Sequence, residues 1–111
     1  MSDLRQQADA YFAGMRAREV EPMVAKFAPH GTLVLPDGRE ITGHAALRTL
    51  YIGLFGADAP SPTPQNFVVG PDQVAVEIEV KLDDGGSRHT ANFFRFDAAG
   101  NIVRLSIYRR A

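Results

Sequence analysis

Tyr11-Phe12-Ala13-Gly14-Met15-Arg16-Ala17-Arg18-Glu19-Val20-Glu21-Pro22-Met23-Val24-Ala25-Lys26-Phe27-Ala28-Pro29-His30-Gly31-Thr32-Leu33-Val34-Leu35-Pro36 is the segment on which the fold turns. It holds the end of one helix, the whole of a second, and a strand. Upstream, Asp3 can cap the first helix, with Gln6 three residues on. Leu4, Ala8, Tyr11 and Met15, with Phe12 beside them, follow helical spacing and put one face on a core. That helix should fade near Ala17-Arg18. Glu19 to Phe27 reads as a shorter second helix with Pro22 in its first turn, where a missing N–H does no harm. Pro29-His30-Gly31 should end it. Thr32 to Leu35 is then a β-branched and apolar strand.

Beyond the segment, Pro36-Asp37-Gly38 is a turn and Arg39-Glu40-Ile41 a brief return strand. Thr42-Gly43 opens a third helix with Ala46, Leu47, Leu50, Tyr51 and Leu54 on its inner side. Gly56 and the run Ala59-Pro60-Ser61-Pro62-Thr63-Pro64 break it and should form a loop. The period then changes. Gln65 to Val69, Gln73 to Leu82, Arg88 to Asp97 and Asn101 to Arg110 read as strands, separated by hairpin-length turns. From Val74 to Leu82 apolar residues fall on even positions, so one sheet face is covered and the other is not. The order α-α-β-β-α-β-β-β-β implies an α+β domain, a curved antiparallel sheet wrapped as a cone over three helices, its open end a concave apolar pocket.

Bulk properties narrow the function. A chain of 111 residues fits a single domain spanning 1–111. Twelve Lys+Arg against thirteen Asp+Glu give a net charge of -1, which argues against nucleic acid or an anionic membrane as partner. Cysteine is absent, so disulfides and thiolate metal sites are excluded. The three histidines, His30, His44 and His89, lack zinc-ligand spacing, and no Gly-rich phosphate loop or nucleophile elbow occurs. No metal or cofactor is therefore expected. The start, Met1-Ser2-Asp3-Leu4-Arg5-Gln6, has no apolar signal-peptide core, and no apolar run reaches membrane-span length, so a cytoplasmic location is expected.

The ungapped run from Tyr11 to Pro36, with Tyr51 and the segment Arg95-Phe96-Asp97, resembles the ketosteroid isomerase branch of the nuclear transport factor 2-like superfamily, and with it the SnoaL-like polyketide cyclases. The resemblance implies an enzyme that moves a proton between carbons, with an aspartate base and a tyrosine and protonated acid donating to a dienolate oxygen. Such a reaction needs preorganised donors in a dry site. Tyr11 falls on the donor tyrosine and Tyr51 on a second tyrosine that bonds the first. Asn92, amid Thr90-Ala91-Asn92-Phe93-Phe94, falls on the acid, and its amide can donate without ever titrating. Leu35 falls on the base, and leucine accepts no proton. Asp37, His30, Glu77 and Glu79 are poor substitutes by position. The resemblance further implies that Phe27, Leu35, Leu50, Val74, Val76, Ile78 and Leu105 line the pocket or, nearly the same thing in a cone, its core. Arg109 would hold an anionic ligand group at the mouth. The expected ligand is a small apolar molecule with a carbonyl or phenol oxygen. Three functions follow: an isomerase or cyclase with its base unidentified, a non-catalytic binding pocket, or a module that forms a homodimer through the uncovered sheet face.

Overall fold

Asp3 begins the ordered architecture by accepting hydrogen bonds from the Arg5 and Gln6 backbone N–H groups at 3.0 and 3.4 Å. These are donors that a helix start leaves without internal partners. The computed structural model describes residues 3–56, 61–81 and 85–110. Helix α1 spans Leu4–Ala17 and buries Ala8, Tyr11, Phe12 and Met15, the stripe read from its spacing. It stops where Arg18 turns left-handed at φ 57 and donates its N–H to the Gly14 carbonyl.

Helix α2 spans Val20–Ala25, two residues shorter at its end than the expected limit of Phe27. Phe27 instead opens strand β1, Phe27–Val34, so Pro29-His30-Gly31 lies inside a strand and does not terminate the helix. The cause is a partner far along the chain: Phe27 sits opposite Ile102, whose N–H donates to the Lys26 carbonyl at 2.8 Å. The pairing register shifts between Phe27 and Thr32, which absorbs Pro29. A Cβ on Gly31 would lie 2.7 Å from the Ile102 carbonyl oxygen, so only glycine allows this approach.

The turn after β1 closes with Leu35 N–H to the Arg39 carbonyl at 2.9 Å and Gly38 N–H to the Leu35 carbonyl at 2.8 Å. Strand β2, Glu40–Thr42, returns along β1, and helix α3, His44–Leu54, follows Gly43 at φ 89. Leu47 and Tyr51 are buried on α3, whereas Ala46, expected inside, is exposed. His44 Nε2 lies 2.9 Å from the Phe27 carbonyl oxygen and ties the start of α3 to the start of β1.

Four further strands, β3 Ser61–Val69, β4 Gln73–Lys81, β5 Ser87–Phe96 and β6 Ile102–Arg109, complete a sheet ordered β2-β1-β6-β5-β4-β3. All neighbours are antiparallel except β1 and β6, which run parallel. The sheet is thus mixed where a purely antiparallel one was expected; joining the first strand to the last makes the intervening chain the crossover that a parallel pair needs. Strand β3 starts at Ser61, four residues before the expected Gln65, and absorbs Pro62 and Pro64. An edge position tolerates prolines because one side of the strand needs no ladder donor. The register slips between Pro64 and Asn66. Leu82, the Asp83-Asp84 part of an expected turn and the Ala59-Pro60 part of the expected loop lie outside the described residues.

Even positions of β4 face inward as the alternation predicts: Val74, Val76 and Ile78 are buried, while Gln73 and Glu77 are exposed. Helix α1 packs on β3 and β4, and α3 on β1 and β2, so helices cover the concave face. Tyr11, Phe12 and Phe94 meet edge to face at centroid separations of 5.3 to 5.8 Å, and Phe96 stacks on Phe94 at 5.9 Å. These rings plug the narrow end of the cone. Each fully buried side chain of this size contributes about 1.5–3 kcal/mol by leaving water. No helix among the described residues is long and apolar enough to cross a membrane.

Candidate active site

The wide end of the cone stays open as a cavity of about 490 Å³. Ligand pockets commonly run from roughly 300 to 1,000 Å³. Helix α1 contributes Tyr11, Phe12 and Met15; α3 contributes Leu50, Tyr51 and Leu54. From the sheet side come Leu33 and Leu35, then Ile78, Val80, Thr90, Asn92 and Ile107. The wall is mainly apolar because the inward parity of β4 and β6 is written in Val, Ile and Leu.

Polar groups interrupt it: the Tyr11–Tyr51 pair, Asn92 and Thr90, and the cations Lys81, Arg88 and Arg109. The Tyr11 and Tyr51 hydroxyls are 2.8 Å apart, joining the first and third helices across the cavity wall. Both side chains are buried, and burial pushes the Tyr11 phenol up to about 12, partly offset by the hydrogen bond from Tyr51. Burial raises Tyr51 well above the ordinary phenol value, and the neighbouring Tyr11 charge adds to that. Both phenols are therefore neutral donors and acceptors at neutral pH, never bases. Asn92 is only 4 % exposed and lines the cavity. Among the described residues its amide has no side-chain hydrogen bond, and no side-chain nitrogen or oxygen is both sealed from solvent and unpartnered. Its free valence is thus turned to the cavity space. A strand neighbour at the same parity, Thr90, adds a hydroxyl.

Of the residues expected to line the pocket, Tyr11, Tyr51, Leu35, Leu50, Ile78, Asn92 and Arg109 do so. Phe27, Val74, Val76 and Leu105 do not; each is at most 2 % exposed. Val74 and Leu105 sit opposite Phe94 in the register, at the plugged end, and Phe27 packs behind Tyr51 at 6.4 Å. Val76 pairs with Asn92 one layer above them. Spacing missed Arg88, Thr90 and Ile107, although Arg88 and Thr90 share the parity of Asn92, and Ile107 that of Arg109. It also missed Pro62, which was read as loop.

Leu35 stands in the wall, and no Asp, Glu or His does, among the described residues. Asp37 is exposed and engaged by Arg39, whose backbone and side-chain N–H groups hold its carboxyl below the usual range. Glu77 accepts from Asn66 at 3.1 Å on the outer face. His30 and His89 are exposed, and His44 is committed to the Phe27 carbonyl. No group of three or more His, Cys, Asp or Glu that could hold a metal ion occurs among the described residues.

This architecture is shared widely. A putative ketosteroid isomerase from Kribbella flavida superposes with a TM-score of 0.85 at 20% identity, covering 97% of this chain and 78% of that one. The epoxide hydrolase/cyclase-like enzyme SalBIII of pyran ring formation in the polyether salinomycin gives 0.83 at 15% identity over 96% and 90% of the two chains. An NTF2-like protein of unknown function from Cytophaga hutchinsonii gives 0.82 at 10% identity over 99% and 92%. No curated protein matches the sequence. The SnoaL-like domain matches residues 8–105, nearly the full length of the fold described. With its helix-backed conical sheet, the chain belongs to the SnoaL-like family of the nuclear transport factor 2-like superfamily.

Proposed function

We propose that the protein binds a small apolar molecule bearing one carbonyl or phenol oxygen, which Tyr11 and Asn92 hold at the inner end of the cavity. The observation that carries this is the unpartnered Asn92 amide, buried in the same apolar hollow as the Tyr11–Tyr51 hydroxyl pair. Either hydroxyl of the pair can be the donor; with Tyr51 donating to Tyr11, the Tyr11 proton is free for the ligand. A net hydrogen bond is worth about 0.5–1.5 kcal/mol, so a ligand oxygen that meets the Asn92 amide is favoured over a hydrocarbon. Naphthol is a suitable probe. Fluorescence titration should show saturable binding, weakened roughly 3- to 10-fold by Asn92→Leu, the loss of one net hydrogen bond. Equal affinity for naphthol and naphthalene would end this reading.

Catalysis of the isomerase or cyclase kind is a second reading, favoured by the retained donor end and by the isomerase- and cyclase-like neighbours. With Leu35 in the wall, such a reaction would take its proton acceptor from water or from the substrate itself. Turnover of an enolisable ketone that falls on Tyr11→Phe would support it, and inert ketones would not.

The uncovered sheet face supports pairing with a second copy of the chain. Val68, Phe93 and Tyr108 are 50 to 65% exposed there, and the Phe93 and Tyr108 rings touch edge to face at 5.5 Å. Light scattering should give twice the chain mass, and Phe93→Lys should return it to one; a monomer at every concentration would refute the pairing.

A further inference from the structure

We infer that the mouth of the cavity is an anion site, so that the ligand carries a carboxylate or related oxyanion at the end remote from its carbonyl or phenol oxygen; this rests on the pocket reading above. Lys81, Arg88 and Arg109 line the cavity, and no acidic residue does among the described residues. The register places the two arginines together. Thr90 is opposite Arg109, and Arg88 lies two residues before Thr90 on the same face of β5. Arg88 and Arg109 are therefore diagonal neighbours, with α-carbons about 7–8 Å apart. Like charges this close repel each other, and an anion between them relieves that. Three arginines of the fold have acidic partners, Arg39 with Asp37, Arg48 with Glu21 and Arg104 with Glu40, and none of the three lines the cavity. Arg88, Arg109 and Lys81 form no ion pair among the described residues. Glu77 and Glu79 sit opposite Ala91 and His89, on the strand parity that Arg88 and Arg109 do not use. A planar guanidinium matches a carboxylate in two-pronged fashion, and two of them beside the Thr90 hydroxyl make a cradle for one oxyanion.

The spacing sets ligand size. Asn92 and Arg88 are four residues apart, or about 14 Å of strand, and the arginine side chain shortens that gap. A bicyclic ring with a phenol at one end and a carboxylate at the other spans it. The test compares naphthol with the hydroxynaphthoate that bears a carboxylate on the far ring, both titrated by fluorescence. The hydroxynaphthoate should bind tighter by at least about tenfold. That preference should shrink as salt rises from about 0.01 M to about 1 M. In Arg88→Gln/Arg109→Gln, checked for folding by circular dichroism, the ratio of the two Kd values should fall toward one. Equal wild-type affinities, with naphthol still bound, would overturn the anion site and leave the pocket reading standing. A preference that survives both glutamines, or high salt in the wild type, would overturn it as well. Failure of both probes to bind would remove the pocket reading and this inference together.

Discussion

Tyr11→Phe should destabilise the protein at neutral pH and, less obviously, make its stability less sensitive to alkali. At neutral pH the substitution strips Tyr51 of its 2.8 Å partner. Tyr51 has no solvent exposure, so its hydroxyl is left with only the cavity to turn to, at about 1–3 kcal/mol. The alkaline effect follows from linkage. Folding raises the Tyr11 phenol from 10.0 to about 12, so between those values the folded state holds a proton that the unfolded state has lost. Stability must then fall as pH rises through that window, since the folded form binds more protons. Near the middle of it the slope is about 1.1 kcal/mol per pH unit, and from about pH 9 to about pH 11 the loss totals about 1.3 kcal/mol. Urea unfolding of both proteins across that range measures it. The wild-type advantage over Tyr11→Phe should shrink by about this amount from the lower pH to the higher. A difference that stays constant, or grows with pH, would refute the claim that this phenol is buried and kept neutral by the fold.

Gly31→Ala should cost about 1–3 kcal/mol, because the new methyl meets a backbone oxygen that cannot swing away; thermal unfolding reads it, and a neutral result would mean that β1 and β6 are further apart than described. Leu35→Asp should place a carboxylate in an apolar wall, with its pKa raised by desolvation. It should raise exchange of the α-proton of an enolisable ketone for deuterium above the wild-type rate, followed by NMR. No gain in a folded variant would mean that the Tyr11 and Asn92 donors do not face a carbonyl there.

Much of this was legible from periodicity. The stripe Ala8, Tyr11, Met15 and the even positions Val74, Val76 and Ile78 lie inside as spacing requires, because both patterns are local consequences of backbone geometry. What local pattern does not hold is the partner. Phe27 looks like the last apolar residue of a helix until Ile102 claims it, and Pro62 and Pro64 look like loop until an edge position makes them tolerable in a strand. The candidate site follows the same division. Tyr11, Tyr51 and Asn92 reach the cavity, as the resemblance implied. The depth to which the cone is filled depends on Phe94, which meets Tyr11 and Phe12 of the first helix edge to face and sits opposite Val74 and Leu105, so that those two lie in the core and not in the wall. Arg88 and Thr90 were within reach of parity alone, counted from Asn92.

The central claim is that a phenol and an amide converge on one ligand oxygen in an otherwise apolar hollow. A crystal structure of the naphthol complex tests it most directly. The naphthol oxygen should lie about 2.6–3.2 Å from both Tyr11 Oη and Asn92 Nδ2, with the rings against Leu35 and Ile78. A ligand lodged elsewhere, or seated in the cavity with its oxygen turned toward the mouth, would contradict it.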